Sequence, residues 1–155
     1  MEKARIALRW VSLLLLVLTG LLLLVGGLWK IQHASEFASV LLSHERIAPS
    51  DVPTLARVVA WGEALSGLGC LIAVALGSSR SGAAMAAVVF AVLAGYSMWM
   101  HESPPSQHVP CGCGAGRAVV LNWAVISLRN AGVGAGMAIV AFMNPNIPLS
   151  GLRHS

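Results

Sequence analysis

Charge is what this sequence lacks most. Of its 155 residues only 10% are charged, while 57% are hydrophobic; a soluble domain carries roughly 25% charged residues. A chain this short cannot hide so much apolar surface in one water-soluble core, so lipid must solvate most of it. A basic stripe is also missing. The net charge of +4 is scattered over segment ends, where it reads as membrane anchoring and argues against a nucleic-acid partner. Cysteine is scarce, and the three present cannot build a disulfide framework. No phosphate-cradling loop, hydrolytic triad or zinc-protease helix can be found.

What the chain does have is long apolar runs. They predict an all-α integral membrane protein, a four-transmembrane-helix bundle forming a single membrane domain over 1–155, with spans near 11–29, 53–76, 83–100 and 118–143. Each is close to the 20 residues that a spanning helix needs. The first run is longer than the 7–15 residues of a signal-peptide core, and no small-x-small site precedes a polar chain, so a retained helix is expected. Pro53 suits the first turn of the second helix, a Gly/Ser turn over 77–82 joins the second and third spans, and Pro145 and Pro148 close the fourth. Between the first two spans, Ile31, Ala34, Phe37, Ala38, Leu41 and Leu42 recur with helical period, predicting an interfacial helical extension of the first span.

Lysines and arginines near the span ends set the expected orientation. An inside N-terminus places Lys3, Arg5, Arg9, Arg80 and Arg153 inside, and Lys30, Arg46, Arg57 and Arg117 outside. Both termini are then cytoplasmic in a multi-pass plasma-membrane protein, and the connection over 101–117 is outside. Trp29, Trp99 and Trp123 near the outer boundary and Trp10 near the inner one fit aromatic belts.

That connection contains Cys111-Gly112-Cys113-Gly114. Alternate residues of an extended chain have Cα atoms roughly 6.5–7 Å apart, at the edge of disulfide geometry. Gly112 permits the positive φ that would tighten the turn. A disulfide closed there is strained, and strained, exposed disulfides tend to be exchange sites rather than staples. An outward loop also faces the compartment where disulfides form, and Arg117 nearby would favour a thiolate. Cys111 and Cys113 are therefore candidate redox residues. A metal reading competes, with His101, His108, Cys111 and Cys113 as ligands; zinc knuckles space their cysteines more widely, and Cu(I) would tolerate the pair better. An inert static loop is the bland alternative.

Ionisable groups inside spans are costly and usually paired or functional. Glu63 in the second span and Arg129 in the fourth, beside Asn130, fall at similar depth. Both share faces with small residues that let helices approach in lipid, so Glu63 and Arg129 are expected to touch. Lys30, closing the first span, either joins them or snorkels to water. Cys70 reads as a small packing residue.

Gly26-Gly27-Leu28-Trp29-Lys30, Phe37, Glu63 with Gly67, Cys111-Gly112-Cys113-Gly114 and Arg129-Asn130 together resemble the MauE branch of the DoxX-like membrane proteins, over nearly the whole chain. The resemblance implies a four-helix bacterial inner-membrane protein tied to redox maturation in methylamine utilisation. Its implied client is an extracytoplasmic, disulfide-rich protein of the methylamine dehydrogenase small-subunit type. It also implies a thioredoxin-like partner and, through the DoxX relatives, a quinone as electron acceptor near Glu63 and Arg129. Two further classes stay open: a permease binding metal or sulfur species through the same cysteines, and a structural subunit without chemistry.

Overall fold

The computed structural model describes residues 2–102 and 122–143. Its elements are all helical: α1 (Glu2–Gln32), α2 (Ala34–Ser43), α3 (Val52–Ala75), α4 (Ser79–Glu102) and α5 (Trp123–Met143). Four of these are long and apolar enough to cross a membrane, and α2 is the short apolar helix after the first. The protein is a multi-pass membrane protein. Its outer surface agrees with that solvent, since Leu22, Leu128 and Phe142 stand 72%, 75% and 84% exposed, which only lipid makes cheap.

The helix ends follow local chemistry. α3 stops where Gly77 takes φ 71°, a left-handed conformation that costs a glycine nothing. Ser78 N–H then donates to Ala73 O at 2.7 Å and Gly77 N–H to Val74 O at 3.0 Å, the paired bonds of a Schellman cap. Ser78 in turn starts α4, its carbonyl accepting from Ser81 and Gly82, so α4 begins four residues before the expected span. The Asn122 side chain accepts from Ala124 N–H at 2.9 Å, capping α5. The part of the expected fourth span over 118–121 lies outside the described residues. Between α1 and α2 the chain bends at His33 (φ −112°, ψ 43°), while His33 N–H still donates to Trp29 O and Phe37 N–H to His33 O.

Helix α1 packs on α3, α5 on α4, and α3 joins α4 through the Gly77 turn. All four contribute to one cluster: Leu16, Cys70, Ala83, Ala86, Met137, Val140 and Ala141. This cluster lies toward the short-turn end, where the bundle converges. At the opposite, long-loop end, Phe37 and Leu41 of α2 pack with Val52 and Ala56 at the start of α3. Because the four long helices alternate in direction, α1 starts and α5 ends on the same side.

Candidate functional site

The α1–α3 contact is close because glycines face it. A Cβ at Gly67 would stand 2.6 Å from Gly20 O and 2.8 Å from Leu24 Cα, and one at Gly27 would stand 2.8 Å from Ala60 O. With the two backbones this near, Lys30 in the last turn of α1 reaches Glu63 on α3. The Lys30 Nζ donates to Glu63 Oε1 and Oε2, each at 2.5 Å. Both side chains are buried, 5% and 8% exposed. The ring of Phe37, from α2, lies with its centroid 5.2 Å from Nζ, adding a cation–π contact. The cluster ties α1, α2 and α3 together and leaves each charge neutralised by the other.

The expected Glu63–Arg129 contact is thereby corrected. The face of α3 carrying Glu63, Gly67 and Cys70 does meet a helix closely, but that helix is α1. Arg129 is on α5, which packs on α4. Its Nε and Nη2 donate to the neighbouring Asn130 Oδ1 at 3.4 and 3.2 Å. Asn130 is almost fully buried, and its Nδ2 has no partner among the described residues. Gly132 and Gly136, on the face shared with Arg129, look onto open space.

A second polar cluster was not foreseen. His44, fully buried just after α2, has Nδ1 2.5 Å from the Tyr96 hydroxyl of α4. Trp123 meets the His44 ring edge-on at 5.2 Å, and Trp99 meets the Tyr96 ring at 6.0 Å. A buried tyrosine hydroxyl ordinarily finds a partner, and Tyr96 is the chain's single tyrosine. That was the available signal, but a partner 52 residues away could not be read from spacing. The cluster sits where the chain leaves α4 and enters α5, at the two ends of segment 103–121.

Cys111, Cys113, Arg117 and His108 lie in that segment, outside the described residues. His101 is exposed in the last turn of α4. Among the described residues no group of three or more His, Cys, Asp or Glu side chains could hold a metal. Cys70 is a free thiol packed in the core, its Sγ 3.4 Å from Gly82 O. Gly82 is twenty residues from Glu102, about 30 Å along α4, so Cys70 lies at the other end of the bundle from the end of α4.

The family model described as methylamine utilisation protein MauE matches residues 8–143. The chain belongs to the MauE family. The match embraces all four spans, the α2 helix and the segment carrying Cys111 and Cys113. MauE membership implies a role in methylamine utilisation. No curated protein and no solved structure matches the chain.

Proposed function

We propose that this MauE protein supports thiol–disulfide exchange through Cys111 and Cys113, in the maturation of an extracytoplasmic, disulfide-rich protein of methylamine utilisation. The observation that carries the reading is the Cys111-Gly112-Cys113 pair in the segment joining α4 to α5 of a MauE chain. A glycine between two cysteines in a connection between membrane spans serves closure and reopening of a disulfide better than it serves packing.

The exchange balances without a metal. A client thiolate attacks one sulfur of the Cys111–Cys113 disulfide, a mixed disulfide forms, and the other loop sulfur leaves as thiolate. The client's second thiolate then attacks its own sulfur in the mixed disulfide. The client gains a disulfide, and the loop holds two more electrons and two protons. A thioredoxin-like disulfide or a membrane quinone would accept these and restore the oxidised loop. Arg117 would favour the thiolate form.

Single replacement of Cys111 or Cys113 by Ser is expected to trap, for one of the two, a mixed disulfide in which the remaining loop thiol has attacked the thioredoxin-like disulfide that reoxidises the loop, read as a reductant-sensitive higher-mass adduct on a non-reducing gel. Replacement of both should abolish the adduct and client maturation. No adduct from either single variant, with maturation intact in the double variant, would sink the redox reading in favour of a structural subunit. Stoichiometric bound metal that disappears with either cysteine would favour the metal-binding reading.

A further inference from the structure

The bundle is not closed on all sides. Between α1 and α5 runs an open groove of about 580 Å³, walled by Leu15 and Thr19 on one side and by Val125, Arg129, Gly132 and Gly136 on the other. Apart from Thr19 and Arg129 its lining is apolar. A Cβ at Gly132 or Gly136 would meet nothing within 4 Å, so the groove owes its depth to these two residues. Within this lining Arg129 is exposed. Two of the five N–H donors of Arg129 go to Asn130 Oδ1, leaving three with no partner among the described residues.

We infer that this groove is a phospholipid site, with the lipid phosphate on Arg129 and an acyl chain lying against Gly132 and Gly136. A cation within a span needs an anion or water, and the carboxylate once expected to serve it, Glu63, is committed to Lys30. Arg129 lies six residues into α5 from Trp123, about 9 Å below the helix end. A helical side chain leans toward its own N-terminus, so the guanidinium rises toward the tryptophan-marked boundary, where lipid phosphates are. Its planar fork matches a phosphate in two places at once, and the surface leading away from it is shaped for hydrocarbon. The inference is independent of the thiol chemistry.

The test is native mass spectrometry of the full chain in detergent, titrated separately with phosphatidylglycerol, diacylglycerol of the same chains, and inorganic phosphate. Wild type should retain phosphatidylglycerol, bind diacylglycerol at least tenfold more weakly, and leave inorganic phosphate unbound. Arg129→Gln should lower phosphatidylglycerol retention at least tenfold without changing that of diacylglycerol, and Arg129→Lys should restore part of the loss. Gly136→Leu, whose Cβ would meet nothing within 4 Å, should lower retention with Arg129 intact. Equal retention by wild type and Arg129→Gln would overturn the site. So would a transmembrane peptide bearing a carboxylate that displaces phosphatidylglycerol from wild type but does not bind Arg129→Gln, since the groove would then be a helix dock.

Discussion

Lys30 and Glu63 carry opposite charges into a medium that solvates neither, and each is tolerable because the other is 2.5 Å away. Removing one partner strands the other charge, which in buried pairs costs about 3–5 kcal/mol, whereas replacing both with apolar residues is often near neutral. Lys30→Met and Glu63→Gln should each lower the unfolding midpoint of the purified bundle. The double variant should lose clearly less than the sum, the signature of coupling in a double-mutant cycle. Additive losses would mean that the pair does not act as one. An Arg129→Gln partner in the same cycle should show no coupling to Glu63, because Arg129 bonds to Asn130 instead. At this scale the sequence was half legible. Intramembrane charge identified Glu63, Lys30 and Arg129, and helical period put Glu63 on a face with Gly67. Depth and face pointed to Arg129 as its partner and the partner is Lys30, since height along a bundle does not say which helix stands next to which.

The choice was made by the helices, through backbone approach. Lipid is as apolar as a leucine side chain, so helices associate by close van der Waals contact where small residues permit it. Gly67 is such a place, pressed on Gly20 and Leu24. Gly67→Leu should separate α1 from α3, break the Lys30–Glu63 pair and sharply reduce folded protein recovered from membranes. Gly62→Leu, one helical face away with nothing within 4 Å, should be recovered like wild type; equal recovery of both variants would show that the α1–α3 interface does not depend on this contact. The helices themselves were readable because runs of about 20 apolar residues have few other uses, and α2 was readable from its period. Their ends shifted where capping decided the matter: Ser78 and the Gly77 turn start α4 at Ser79 rather than 83. The facing of α1 was unreadable for a physical reason. Its run of leucines is apolar on every side, so no amphipathic stripe points to a partner, and Thr19, Gly20, Gly26 and Gly27 are what break the uniformity.

Across the whole molecule, four antiparallel spans put the start of α1 and the end of α5 on one side, and the end of α4 and the start of α5 on the other. Which side is cytoplasmic is a matter of flanking charge, and the ion pair alters that count. By sequence Lys30 counts among the outer flanking bases, yet it is buried and bonded to Glu63, so it contributes no free charge to that boundary. The outer set shrinks to Arg46, Arg57 and Arg117, against Lys3, Arg5, Arg9, Arg80 and Arg153. The balance favours an inside N-terminus, the orientation that the proposed exchange requires. A membrane-impermeant maleimide applied to reduced, intact spheroplasts should label the wild-type chain and fail to label the Cys111→Ser/Cys113→Ser variant. Cys70, at 0% exposure, should stay unlabelled until the protein is denatured. Labelling of Cys111 and Cys113 that appears only after lysis would reverse the orientation. The thiol pair would then face the reducing cytoplasm, where disulfides rarely persist, and exchange with an extracytoplasmic client would lose its geometry along with its redox environment.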